Sequence, residues 1–417
     1  MKLSGKILYT FMISSALLML NACDMIYEYY PEAELQDDSA LLILHINKMA
    51  GNATSVDDES ESVTEAIESL RIIIIDDKSE IEYNKLINSS DLSQENESGL
   101  IYTLTYHTTP GTKKFYLFAN EESVKLSDNQ TLTQFFNDIT TSKKNFEESI
   151  NSLSFTPEPN YGLTDNTVKL PYSSYYELEM EHGKNYNKPM FLVPVATKFT
   201  VNITNNRKEA IEIKSLTIDR LANQTYMLAH VGTQDYNKNG QYWIDWLADV
   251  SAESHSYKNY EDNVGFNAEK GWIFDYALPE NVSYSSQNLL PSESYIVTKP
   301  QLDDAQNVLT PFKDTLPTIY FPESRYFDGN TNEGTVQTYS LTLTVADTNE
   351  GTDSDSETEK IITMNRLLPN VKALFRNTHV IINIEMGMGY MDVYAEIYPW
   401  SIDDDPLKGF VEKEDEL

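Results

Sequence analysis

The chain has 417 residues, with 65 Asp and Glu against 31 Lys and Arg and a formal net charge of −34. That balance excludes a nucleic-acid binder, which needs clustered cations along a phosphate track. Hydrophobic residues make up 40% and Gly and Pro are ordinary at 16 each, which excludes wholesale disorder or a fibrous repeat and leaves room for two or three packed domains.

Lys2 and Lys6 precede an apolar run over residues 7–20, too short and too early for an ordinary membrane span. It reads as a secretory signal with a basic start and an apolar middle. Leu20-Asn21-Ala22-Cys23 then has the form of a lipobox. A small residue, Ala22, precedes the bond to be cleaved, and the Cys23 thiol takes a diacylglycerol through a thioether before cleavage frees its amine. The alternative is a plain signal peptide followed by an incidental cysteine. Residues 1–22 are therefore expected to be a lipoprotein signal peptide and residues 23–39 a tether, with two or three acyl chains giving a stable membrane anchor. Cys23 is the only cysteine, so no internal disulfide can form and stability must come from packing.

Strand-like segments follow. ALLILHIN (residues 40–47) is the first, and KMAGNATSVDDESESVTEA (48–66) is polar and acidic, the composition of an exposed loop or frayed helix. LRIIIIDD (70–77) places four isoleucines before turn-forming aspartates, which suits a strand buried on both faces. LIYTLTYHTTPGTKKFYLFAN (100–120) reads as two strands around the Pro110-Gly111 turn. Leu132, Phe135, Phe136 and Ile139 recur at helical spacing, with Asn129 or Thr131 able to cap the start, so residues 131–153 are expected to be helical. TVKLPYSSYYELEME returns to strands, and residues 189–194 look like an interdomain crossing.

Beyond that point TKFTVNITNN alternates cleanly, as a half-buried strand does. AIEIKSLTI alternates at Ile211 and Ile213 and changes phase at Leu216, which predicts a bulge. YSLTLTVAD, VIINIEM and DVYAEIYPW alternate as well. The fold expected is mainly β, with two antiparallel β-sandwich domains, residues 40–188 and 189–417, and one short helical region in the first.

Catalytic and cofactor motifs are missing. The six histidines form no close metal-ligand pair, and there is no nucleophile elbow, phosphate-cradling glycine loop or dinucleotide fingerprint. No enzyme activity and no cofactor are expected. The acidic stretches at 57–60, 353–359 and 403–405 lack the spacing and glycine of an EF-hand loop and read as solvated loops, with calcium as the lesser alternative. Tyrosines cluster at residues 27–30 and 172–177, where they suit either carbohydrate and protein contact or packing on a sheet face.

The order of these features resembles the FimA-type fimbrillins, the subunits of type V pili. A lipobox leads to the strand ALLILHIN, then to the acidic loop GNATSVDDESESV, the strand LRIIIID, and KKFYLFANEE with its Ala-Asn turn. The helix start TLTQFF, the segment VPVATKFTVNITNN, and the closing pair LFRNTHVIINIEM and VYAEIYPWSIDDD complete the order. The resemblance implies two transthyretin-like sandwiches in a structural subunit exported as an outer-membrane lipoprotein. It further implies that a trypsin-like protease cuts the loop after the first strand. That strand then leaves with the lipid, and a strand from the C-terminal region of a neighbouring subunit fills the groove.

Carried onto this sequence, ALLILHIN is the removable strand and the cut falls between Lys48 and Met49, because Lys48 is the only basic residue between Asn47 and Leu70. The family's best-known pilins carry Arg there, which sets this chain apart from substrates of an arginine-specific protease. Left uncut, the protein would stay on the membrane as an anchor subunit or a surface lipoprotein. The expected partners are other pilus subunits, the membrane through a lipid anchor that cleavage makes transient, and a host or bacterial surface receptor, in a fimbrium at the cell surface. The rival reading is a surface lipoprotein that binds glycans or host proteins through the aromatic stretch containing Tyr242, Trp243, Trp246 and Trp272.

Overall fold

The computed structural model describes residues 40–48, 63–93, 100–126, 130–142, 146–157, 168–228, 266–267, 271–272, 282–324, 339–347, 360–368, 374, 376, 378–387 and 390–399. The elements in chain order are β1 (Ala40–Lys48), β2 (Ser69–Ile75), β3 (Ile81–Asn88), β4 (Leu100–Thr108), β5 (Gly111–Ala119), helices α1 (Leu132–Ser142) and α2 (Phe146–Asn151), β6 (Ser154–Phe155), β7 (Tyr172–Met180) and β8 (Asn185–Pro194). Then come β9 (Thr197–Asn205), β10 (Ile211–Ala222), β11 (Thr225–Tyr226), β12 (Phe266–Asn267), β13 (Gly271–Trp272), β14 (Tyr284–Asn288), β15 (Tyr295–Val297), β16 (Gln301–Leu302), β17 (Val308–Thr310), β18 (Phe312–Thr315), β19 (Ile319–Phe321), β20 (Tyr339–Asp347), β21 (Lys360–Leu368), β22 (Thr378–Gly387) and β23 (Tyr390–Pro399). The protein is mainly β, as the sequence indicates.

The first sandwich packs β4-β1-β8 against β3-β2-β5-β7, the two layers joined where β7 meets β8. All seven residues of β2 are buried, and the two sides of the strand serve different cores. Leu70, Ile72 and Ile74 pack toward the β1 layer, while Ile73 and Ile75 meet α1 and α2 together with Phe118, Phe136 and Ile150. A continuous isoleucine run is what a strand covered on both faces requires. Thr131 caps α1 reciprocally with Gln134: the Gln134 amide donates to Thr131 Oγ1 at 3.2 Å, and the Thr131 amide to Gln134 Oε1 at 2.9 Å. The helical region is two helices, α1 and α2.

The Ala-Asn turn has a structural cause. Asn120 takes a left-handed conformation with φ 55°, and its buried side chain donates to the carbonyls of Ala66 and Leu170 and accepts from the Glu68 amide. Asn adopts this region more readily than most residues. Beside it, Arg71 makes a two-pronged buried pair with Glu121 at 2.6 and 2.7 Å.

The second sandwich repeats the strand order of the first. One layer runs β18/β19-β9-β22-β23 and the other β14/β15-β10-β20-β21. β9 stands where β1 does, antiparallel to one neighbour and parallel to the other. β10, β20 and β21 stand where β2, β5 and β7 do. β23 is an eighth strand added outside β22. The bulge expected in β10 is present, as a register shift between Ile213 and Ser215.

Three differences from the sequence reading follow from long-range pairing. The expected boundary at 188/189 falls inside β8, which completes the first sandwich; the crossing between the two sandwiches lies at Val195 and Ala196. The layers are not wholly antiparallel, because β1 pairs parallel with β8 and β9 with β22. β4 and β5 flank the Pro110-Gly111 turn as expected, yet they enter opposite layers, with β4 on β1 and β5 on β2 and β7. The domains also share an edge: β6 pairs with β11, and the Met227 amide donates to Leu153 O at 2.8 Å.

Candidate functional site

β1 is an interior strand. Its even-numbered residues turn their backbone toward β4, with Leu42 opposite Tyr106, Leu44 opposite Leu104 and Ile46 opposite Tyr102. Its odd-numbered residues face β8, as the bond from the Leu41 amide to Lys184 O at 3.1 Å shows. The side chains of Ala40, Leu42, Leu44 and Ile46 are completely buried. Burying each of the larger three contributes about 1.5–3 kcal/mol. Chemically, this is a strand-shaped slot, lined by two backbone edges and a row of apolar pockets at period two.

Lys48 is the last residue of β1, in register with Leu192 of β8. It is 7% exposed, and its Nζ lies 5.9 Å from the centroid of the Tyr172 ring. A trypsin-like enzyme needs the lysine side chain in its own pocket, so this lysine must first leave the protein interior. Met49 lies outside the described residues, as do Ala22, Cys23 and residues 49–62.

The described chain resumes at Val63, at the domain junction. The turn Val63–Glu65 is held where the Leu170 amide donates to Thr64 O at 2.8 Å and the Tyr172 hydroxyl donates to Glu65 O at 2.8 Å. The Glu65 carboxylate accepts from the Tyr320 hydroxyl at 2.5 Å and pairs with Lys198 Nζ at 3.1 Å, both partners belonging to the second sandwich. Sequence reasoning missed Glu65, Tyr172 and Tyr320. Tyr172 was visible inside YSSYYE, but nothing local says that it touches both ends of the loop. The cluster divides by alternation: Tyr172 and Tyr176 are buried and Tyr175 is half-buried, which favours packing on a sheet face there.

A second polar cluster locks the domains. Arg376, from LFRNTHVIINIEM, is 1% exposed and pairs with Glu323, its Nε donating to Oε2 at 2.9 Å and its Nη2 to Oε1. Arg376 also donates to the carbonyls of Met227 and Tyr226 at 3.0 and 2.7 Å and to Ser173 Oγ at 3.3 Å. Nothing in the sequence pointed to Glu323 as its partner. His379 sits one pair into β22, its Nε2 2.8 Å from Thr200 Oγ1, and burial followed by the charge of Lys198 pushes its pKa down to about 3. It is held neutral.

Among the described residues no three acidic, His or Cys side chains are grouped to hold a metal ion, and no helix is long and apolar enough to cross a membrane. The acidic stretches at 57–60, 353–359 and 403–405, the tyrosines at 27–30, and Tyr242, Trp243 and Trp246 lie outside the described residues; Trp272 is placed in β13 by its backbone alone.

The fold and the site define a two-sandwich protein whose first strand fills an interior slot. Residues 41–193, which span the first sandwich, match the family model described as major fimbrial subunit protein (FimA), in line with the resemblance to the FimA-type fimbrillins. Among solved structures, the chain is similar to the C-terminally truncated tip fimbrial protein Mfa3 of Porphyromonas gingivalis, at 12% identity and a TM-score of 0.47 over 87% of this chain and 100% of that one. It is similar also to a protein of Parabacteroides distasonis described as a cell adhesion protein, at 13% identity and a TM-score of 0.44 over 88% of this chain and 98% of that one. A fimbrial assembly protein from the same species shows 12% identity and a TM-score of 0.41 over 86% and 94%. No curated protein matches the sequence.

Proposed function

We propose that this chain is a structural pilus subunit that polymerises by strand exchange through the slot of β1. It is exported as a lipoprotein anchored at Cys23, and it loses β1 with the lipid when the chain is cut after Lys48. The observation that carries this reading is the interior position of β1. Taking it out leaves the facing edges of β4 and β8 without partners and uncovers the pockets of Leu42, Leu44 and Ile46. An open edge of that kind is a template for another strand, which contributes main-chain hydrogen bonds for affinity and pockets for register. Contact of one subunit's C-terminal region with the next subunit's slot is head-to-tail and does not close, so it makes a fibre.

β23, the added strand at the C-terminal end, has the alternation an incoming strand needs, with Met391 and Ala395 buried and Val393 half-buried between them. The cut is compatible with a stable remainder, since the contacts of Thr64 and Glu65 begin past the loop and belong to the retained part. In this role the protein is not an enzyme, and its site is the surface fimbrium, in contact with other subunits and a surface receptor.

The test is to incubate the chain lacking residues 1–22 with limiting trypsin and run unheated samples on an SDS gel. Cutting at Lys48 should give a ladder of polymers. Clean cutting there with monomers alone would overturn strand exchange.

A further inference from the structure

The two sandwiches share a strand order but close differently along one seam. In the second sandwich, β23 pairs with the whole outer edge of β22, from Thr378 opposite Pro399 to Gly387 opposite Tyr390. In the first, among the described residues, the outer edge of β8 has a backbone neighbour at only two positions, Tyr172 opposite Pro194 and Ser173 opposite Val193. Since Lys184 O accepts from β1, the even-numbered residues of β8 face β1, and Asn185, Asn187, Pro189 and Phe191 turn their backbone outward along this seam.

Side chains take over where the ladder stops. The Tyr176 hydroxyl accepts from the Phe191 amide at 2.6 Å and donates to the Phe191 carbonyl at 3.1 Å, so one phenol satisfies both outward groups of that residue. Ser174 Oγ donates to the same carbonyl. Two residues before Phe191, Pro189 has no N–H to offer a strand. Proline and covered backbone groups are established ways of blunting a sheet edge. Burial pushes the Tyr176 phenol up, which keeps it neutral and able to donate and accept at once.

We infer that Tyr176 and Pro189 close the outer edge of β8 to strand addition, so that a strand from a second copy of this chain meets β8 on its β1 side, through the slot, and not on its outer side. At Phe191, Tyr176 covers the edge that β23 covers along β22 in the second sandwich. The inference rests on the strand-exchange reading for what it protects, but the closed edge exists before any cut and is tested on uncut protein.

The experiment uses residues 23–417, uncut, as wild type and as Tyr176→Phe and Tyr176→Phe/Pro189→Val. Phenylalanine keeps the ring in the core and removes only the hydroxyl. By amide exchange, Phe191 in the wild type should be protected like a strand interior, and Tyr176→Phe should speed its exchange roughly tenfold, the loss of about one hydrogen bond. By sedimentation, the double variant should shift to dimers and larger species with β1 still in place, while the wild type stays monomeric. A folded double variant that sediments as wild type overturns the inference. So does rapid exchange of Phe191 in the wild type, which needs no variant to fold. A cut protein that forms no ladder would count against strand exchange alone and leave these two readings standing.

Discussion

The Lys48 ammonium lies 5.9 Å from the centroid of the Tyr172 ring, while the hydroxyl of the same tyrosine donates to Glu65 O at 2.8 Å. One side chain therefore touches both Lys48, at the end of β1, and Glu65, on the far side of residues 49–62. Cutting after Lys48 requires this end of β1 to open, so access to the bond and release of the strand are coupled steps.

Tyr172→Leu should speed trypsin cutting at Lys48 by about tenfold or more, because it removes a cation–π contact and a buried hydrogen bond worth together ~1.5–3 kcal/mol. Lys48→Gln should abolish cutting between residues 47 and 70, where no other basic residue stands. Initial rates followed by mass spectrometry check both, and an unchanged rate in Tyr172→Leu would show that the loop opens independently of this contact.

Glu323→Gln or Arg376→Met should destabilise the protein by about 3–5 kcal/mol, since either change strands the other charge in a site 1% exposed. The double variant Glu323→Leu/Arg376→Met should recover part of that loss, because no charge is left buried. Urea unfolding midpoints with unchanged slopes are the measurement.

Leu44→Ala should cost about 2–5 kcal/mol in the uncut protein, as expected for a completely buried leucine in a packed strand. After β1 has been released the same substitution should have no effect on the remainder. Unfolding curves taken before and after cutting separate the two states.

His379 gives a pH dependence of defined sign. Its pKa in the folded protein is pushed down to about 3 from 6.5, so the unfolded chain binds the proton more readily. Its contribution to stability is whole above about pH 6.5 and is lost as pH falls toward 3. His379→Gln should flatten that part of the stability profile and leave the alkaline side unchanged. Thermal unfolding between pH 7 and pH 4 checks it.

Local chemistry made much of the fold legible. The isoleucine run of β2, the alternation of β9, β20, β22 and β23, the α1 cap and the β10 bulge all express periodicities or propensities that act over a few residues. β3, β8 and β21 were not anticipated. β8 in particular contains Pro189 and Pro194, and its sequence reads as a connection because prolines punctuate a chain when only neighbours are considered. A strand tolerates them where the missing N–H points away from its partner, and partner direction is a long-range property.

The sequence by itself determined that the protein is mainly β, with a helical region and Lys48 as the lone basic residue between Asn47 and Leu70. Those facts depend on side-chain chemistry within one turn or one strand. Only the tertiary structure decided that β1 lies between β4 and β8, that Lys48 is buried beside Tyr172, and that Glu323 answers Arg376. Each joins residues far apart in the chain, and their pairing is selected by the packing of the whole sandwich rather than by any local preference.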